Sequence, residues 1–208
     1  MIIAVDGPVA AGKGTLARRI ADKYGFKYLD TGALYRAVGL LLLQNNQDPN
    51  NPDLALLAAQ NVSKIDPSNP ALRDEKTGNA ASIVAANQRV RTALLEYQRE
   101  VAKHKPGAVL DGRDIGTVVC PDAPVKLFVT ASAEVRAQRR FDELAAKGQE
   151  VTFDDVLSDL RDRDARDQTR KSAPLAKADD AHLLDTTKLD IEAALEAACQ
   201  IIDADFPG

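Results

Sequence analysis

The sequence predicts an α/β fold in which five parallel strands are sandwiched between helical layers. Three observations carry this. Short apolar runs alternate with segments of helical periodicity along the whole chain. The 208 residues suit one domain of about 100–200 residues with small inserts. A glycine-rich turn joins the first apolar run to the first helix, the connection such sheets use for binding.

Strands are expected at Ile2–Val5, Lys27–Leu29, Ala108–Leu110, Val125–Val129 and Leu183–Leu184, each a short run bounded by polar or turn residues. Helices are expected near Leu16–Lys23, Ala33–Leu43, Arg89–Lys103, Ala133–Lys147, Phe153–Arg166 and Ile191–Ala204. In the Arg89 helix, Val90, Ala93, Leu94, Tyr97 and Val101 form one apolar stripe. Ile191, Ala194, Leu195, Ala198 and Ile202 repeat the pattern and make the last helix core material. Two regions break the alternation. Asn45–Gly78 is rich in Asn and Pro, with one helical piece around Leu54–Ala59, and reads as an insertion. Ala133–Arg170 is dense in Arg and Asp.

Composition narrows the function. Net charge is −4, aromatics are 4% and Trp is absent, which argues against nucleic-acid binding and against an anionic membrane surface. An anion must therefore be held by local positive charge. Cys120 and Cys199 have no CxxC or Cys/His spacing and read as structural thiols in a reducing compartment. No basic segment precedes Ile2–Val5, so no secretory leader is expected. The apolar stretch Val38–Leu43 is too short to span a bilayer, and a cytoplasmic protein is expected.

The strongest motif is Gly7-Pro8-Val9-Ala10-Ala11-Gly12-Lys13-Gly14-Thr15, between an apolar strand and a helix. This is the context of a phosphate-binding P-loop. Backbone amides freed by the glycines converge on phosphate oxygens, the helix N-terminus adds its dipole, and Lys13 adds a point charge. Gly14 stands where the strict pattern has Ser or Thr, with Thr15 one place later, so direct Mg²⁺ ligation by a hydroxyl is not assumed. The GKGT ending is typical of nucleoside monophosphate kinases. A P-loop alone also fits a GTPase or ATPase, but no Asn-Lys pair is present to read guanine.

Further blocks follow in order: Asp30-Thr31-Gly32-Ala33-Leu34-Tyr35-Arg36, Asn79-Ala80-Ala81-Ser82, Arg89-Val90-Arg91, Asp111-Gly112-Arg113-Asp114-Ile115-Gly116-Thr117 and Arg163 to Arg170. With the P-loop, this series closely resembles the bacterial cytidylate kinases of the nucleoside monophosphate kinase superfamily, from Ile3 to about Ile202. The main departure lies at about Ile65–Gly78, where Pro67-Ser68-Asn69-Pro70 looks like a trimmed form of a longer, strand-rich insert.

The resemblance implies a P-loop three-layer sandwich with a core (about 1–44, 104–132 and 171–208), an acceptor-binding insert (about 45–103) and a helical lid (about 133–170). It implies transfer of the γ-phosphoryl of Mg-ATP to CMP or dCMP, by a monomer without nucleic-acid or membrane partners. A UMP or broader pyrimidine kinase is the alternative, and a non-catalytic nucleotide switch a different class. Gly7 to Thr15 and Arg139 would hold ATP, and Lys13, Arg113, Arg163 and Arg170 would be catalytic. Asp111 would reach Mg²⁺ through water, though its place before Gly112 also suits a helix cap. Thr31, Arg36 and Arg113 would clamp the acceptor phosphate, and Ser82, Arg91 and Asp114 would surround the base; Asp114 could instead orient Arg113. Arg163 and Asp167 resemble ribose contacts and Arg170 a phosphate or base contact. Their i, i+4, i+7 spacing equally suits a solvated helix face with an Arg163–Asp167 ion pair. Arg136, Arg139 and Arg140 would lie on the lid. His104 and His182 show no partner pattern.

Overall fold

β1 (Ile2–Asp6) is the central strand because nothing in it needs water: Ile3, Ala4 and Val5 are fully buried, as a parallel strand covered on both faces must be. In the computed structural model, which describes residues 1–205, it is flanked by β3 (Ala108–Gly112) and β4 (Val125–Thr130). β2 (Lys27–Asp30) and β5 (His182–Asp185) close the two edges. All pairings are parallel and the order is β2-β3-β1-β4-β5. Each expected strand forms, one or two residues longer.

α1 (Lys13–Tyr24) and α8 (Ile191–Asp205) cover one face, joining Leu16, Ile20, Ala198 and Ile202 to Ile3, Val5 and Leu127. On the other face α5 (Gln88–Ala102) packs Ala102 against Ala4 and Leu110. α2 (Thr31–Gln44), α3 (Pro52–Gln60), α4 (Glu75–Val84) and α5 share a separate apolar cluster around Val38, Leu42, Val84, Val90 and Leu94. α6 (Ala133–Ala146) and α7 (Phe153–Thr169) pack through Ala137, Leu144 and Val156.

Several local expectations are corrected. The segment 45–78 holds more than one helical piece: short 3₁₀ turns at Val62–Lys64 and Pro70–Arg73 lead into α4. α4 escapes a search for apolar periodicity because it packs by smallness. A Cβ on Gly39 would stand 3.0 Å from the Ala80 side chain, so α2 and α4 touch almost backbone to backbone. On α5 the buried row is Val90, Leu94, Gln98 and Ala102, whereas Tyr97 is 55% exposed. The stripe is rotated because Arg91 also turns inward. Ile191 lies in the exposed first turn of α8 while Ala194, Ala198 and Ile202 are buried. Cys120 and Cys199 are free and buried, as expected. Among the described residues no helix is long and apolar enough to cross a membrane.

Asp6 and Asp30 end β1 and β2, and Asp111, in direct register with Asp30, is the penultimate residue of β3. The loops leaving this carboxyl edge build the site, as in other open parallel sheets.

Candidate active site

The P-loop is shaped by backbone conformations that few residues tolerate. Gly7 has φ 147°, and a Cβ there would lie 1.9 Å from the Val129 carbonyl oxygen. Only glycine fits. Ala10 (φ 57°) and Gly12 (φ 86°) are left-handed and turn the chain into α1. Lys13 folds back across the loop, its Nζ donating to the Pro8 carbonyl at 2.8 Å. Burial, with repulsion from Arg113, pushes its ammonium down to about 8, against the attraction of Asp111 and Asp6.

Gly14 faces Asp111, and a Cβ there would stand 3.2 Å from Asp111 Oδ2. The departure from Ser or Thr therefore leaves space beside a buried carboxylate. Asp111 belongs to β3 and caps no helix. Burial raises its carboxyl above the ordinary range, opposed by Lys13. Its backbone carbonyl accepts from Thr31 Oγ1 at 2.8 Å, which ties β3 to the start of α2.

Opposite the P-loop stands a group of paired arginines. Asp30 caps α2 by accepting from the Ala33 amide and pairs with Arg36 at 2.6 Å. The missing side chain at Gly32 makes room for that fold-back. Arg36 Nε is buried and finds no partner among the described residues. Arg113 donates from Nε to Asp167 at 2.9 Å, and Ser82 donates to the other oxygen of Asp167 at 3.2 Å. Arg91 pairs with Asp114 inside the protein, and Arg170 approaches the same carboxylate at 3.5 Å. Burial raises the Asp114 carboxyl, opposed by Arg91 and Arg170. Arg91 also lies 5.6 Å from the centre of the Tyr35 ring, a cation–π distance.

These groups line one open cavity of about 350 Å³. It takes in every expected site residue except Gly7, Pro8 and Arg139. Six cationic side chains line it against five acidic ones, so an acidic protein presents a cationic pocket. Gly7 and Pro8 shape the loop from behind. Arg139 lies beside Gly12 and bonds Thr186 through its hydroxyl (3.1 Å) and carbonyl (2.8 Å). It borders a second, largely apolar cavity of about 300 Å³ with Thr15, Leu189 and Ile191. The P-loop and a group of paired arginines thus share one cavity, with a largely apolar recess beside the P-loop.

The sequence profile of the family described as cytidylate kinase matches residues 3–204. The chain belongs to the cytidylate kinase family. The cytidylate kinase of Rhodospirillum rubrum is 54% identical over 97% of this chain and 97% of its own length. That of Xanthobacter autotrophicus is 54% identical over 98% of both chains, and that of Rhodopseudomonas palustris strain BisB18 52% identical over 98% and 96%. Among solved structures, an uncharacterized protein from Eubacterium ventriosum superposes with a TM-score of 0.58 at 14% identity, over 98% of this chain and 99% of its own. Shikimate kinase from Bacteroides thetaiotaomicron gives 0.51 at 12% identity, over 98% and 97%. At such identities the likeness is one of fold.

Three expectations for this cytidylate kinase family site are corrected. α7 ends at Thr169 and Arg170 is its extended C-cap, so the helix does not carry Arg170 onward. Its Nε is fixed instead by the Ala173 carbonyl at 2.8 Å. Arg163 and Asp167 do not pair: Arg163 bonds Glu75 at 3.0 Å and Asp167 bonds Arg113. Nor does Asp114 orient Arg113. On α6, Arg136 is a buried strut, reaching the Val9 carbonyl at 3.0 Å and Asp164 at 2.7 Å. His182 finds Asp205 at 2.8 Å.

Asp6 was beyond sequence reasoning. It accepts from the Ile115 and Gly116 amides at 2.8 and 2.7 Å and thereby hangs the Arg113–Asp114 loop on the P-loop strand. Burial pushes its carboxyl up to about 7, although those amides pull the other way. Its place immediately before the P-loop glycine was the one available signal. Tyr35, within the Asp30–Arg36 block, and Gly78, which carried no signal, also line the cavity.

Proposed function

We propose that this protein transfers the γ-phosphoryl group of ATP to CMP or dCMP, giving ADP and CDP or dCDP. The observation that carries the reading is that the P-loop and the arginines Arg36, Arg91, Arg113, Arg163 and Arg170 line one cavity. A switch or simple ATPase needs only the P-loop, whereas a kinase for a phosphorylated acceptor needs the arginines as well. Membership of the cytidylate kinase family, with relatives so named at 52–54% identity, supports the choice of acceptor.

In this reading the P-loop amides and Lys13 hold the donor phosphates, and the recess beside Arg139 takes the adenosine end. Thr31, Arg36 and Arg113 clamp the acceptor phosphate, the unpartnered Arg36 Nε being a donor free for it. Arginine suits this work because its planar fork gives two hydrogen bonds. Asp167 faces the ribose, and Arg163 lies between the ribose and the transferring phosphoryl group, whose charge it helps to neutralise. Ser82, Arg91 and Asp114 face the base: a carboxylate only accepts and so suits the cytosine amino group, while Arg91 only donates and suits N3 and O2. Arg170 joins base and phosphate sides. Segments 45–103 and 133–170 act as acceptor-binding insert and lid around the core.

No group of three potential metal-ligating side chains is present among the described residues, so Mg²⁺ would sit mainly on the phosphates of ATP, with Asp111 across a water in the space Gly14 leaves. Bound there, it would neutralise charge on the transferring group. The nucleophile is already a phosphate anion and needs no strong general base. Positioning and electrostatic neutralisation then supply the catalysis, and exclusion of water by the lid keeps ATP from hydrolysis.

The test is ADP release from ATP with CMP, dCMP, UMP and AMP supplied separately to the monomer-sized and any larger fractions. CMP and dCMP should each stimulate turnover far above the others. ATP turnover indifferent to the monophosphate added would refute the reading.

A further inference from the structure

α4 turns a polar row toward the lid helices. Glu75, Asn79 and Ser82 are spaced to lie on one helix face, and each meets α7: Glu75 with Arg163, Asn79 with Arg166 at 3.0 Å and Ser82 with Asp167. Glu75 does more than the others. One carboxylate oxygen accepts from Arg163 at 3.0 Å, while the other accepts from Arg140 of α6 at 2.8 Å. Arg140 also reaches the Arg73 carbonyl just before α4 at 3.2 Å. The guanidinium of Arg163 lies flat over Gly78, where a Cβ would stand 3.1 Å away. Arg163 nevertheless remains part of the cavity wall. Glu75 itself does not line that cavity.

The charges explain why a carboxylate is needed there. Arg163 is largely buried, its side chain 15% exposed, and desolvation, with repulsion from Arg113 and Arg140 added, holds its guanidinium below the ordinary range. Glu75 is the counter-charge within hydrogen-bond reach of both Arg140 and Arg163. Burial opposes its ionisation, yet the two arginines hold its carboxyl below the ordinary range. Its place in the first turn of α4 adds the helix dipole.

We infer that Glu75 is a positioning residue for phosphoryl transfer, holding Arg163 at the cavity wall and tying the acceptor-side helix α4 to both lid helices through one shared carboxylate. The inference rests on the kinase reading above. Without Glu75 the arginines repel one another, and Arg163 leaves the orientation that transfer requires.

Glu75→Gln keeps the shape and removes the charge. It should lower kcat by roughly 10- to 100-fold, part of what loss of an oriented electrostatic group costs, and Glu75→Asp should recover some of it. The decisive comparison is a double-mutant cycle. In an Arg163→Ala background Glu75→Gln should cost less than about twofold more, because its target is gone. Full, independent losses would overturn the inference. So would a Glu75→Gln enzyme with wild-type kcat whose only change is a lower melting midpoint. Hydrogen exchange supplies a readout without turnover: α7 amides around Arg163 should exchange faster in ATP-free Glu75→Gln, and unchanged exchange would contradict the tie. Inactivity of the wild type on every monophosphate would defeat the kinase reading alone, since exchange still tests the tie.

Discussion

Replacing Asp114 by Asn tests base recognition and the electrostatics of the site together. Asp114 is 5% exposed and stands between two arginines with buried side chains, Arg91 and Arg170. The amide keeps the shape, accepts from one arginine and leaves two buried cations without a counter-charge. Breaking a buried ion pair costs about 3–5 kcal/mol. The low end applies because one hydrogen bond survives, and for a chain of this size about 3 kcal/mol is a fall of roughly 6–12 °C in Tm. The catalytic effect is separate. A charge-assisted hydrogen bond contributes about 1.5–3 kcal/mol, or roughly 10- to 150-fold in kcat/KM. Only CMP should lose that factor, because the new amide can donate to the uracil carbonyl that the carboxylate repels. Steady-state kcat/KM for CMP and UMP, measured well below the variant's melting midpoint, should show the CMP preference narrowing by that amount. Equal proportional losses on both substrates would refute base reading by Asp114. An unchanged Tm would refute the account of its buried charge.

Lys13→Ala should lower kcat by about 10²-fold or more with little effect on Tm; in the wild type, kcat/KM for ATP should decline above about pH 8, where the free enzyme's Lys13 loses its proton. A pH-independent kcat/KM across that range would remove the ammonium from donor binding. Gly14→Ala should weaken turnover of Mg-ATP more than it lowers Tm, because the new methyl crowds Asp111 Oδ2 at 3.2 Å; wild-type kinetics over a Mg²⁺ titration would show that the space is unused. Asp6 has a folded-state pKa of about 7 against an ordinary 3.8, so its contribution to stability is fully present below about pH 4 and is lost as pH rises through 7, at roughly 1.4 kcal/mol per pH unit in between. Unfolding at pH 5 and pH 7 should therefore show wild type losing stability relative to Asp6→Asn, and a pH-independent difference would contradict the shifted carboxyl.

The sheet, its helices and the P-loop could be read directly from the chain because each is encoded locally. β1 is apolar on both faces, and Gly7 and Gly12 mark the turn that only such residues allow. The blocks around Arg36, Arg113 and Arg163 also marked arginines that the fold gathers around one cavity. Partner choice was another matter. Spacing along α7 suggested that Arg163 pairs with Asp167, but the fold brings in other partners: Glu75 for Arg163, Arg113 for Asp167. α4 was invisible because its packing depends on missing or minimal side chains at Gly39, Gly78 and Ala80, and smallness has no hydrophobic period. Asp6 could not be read because its two amide donors lie over a hundred positions away and meet it only when β1 and β3 pair. Sequence alone therefore determined the five strands, most of the helices and the P-loop at the carboxyl edge of the sheet. The tertiary structure decided which charge faces which, because ion pairing in a crowded cavity depends on burial and distance, and neither is a property of sequence spacing.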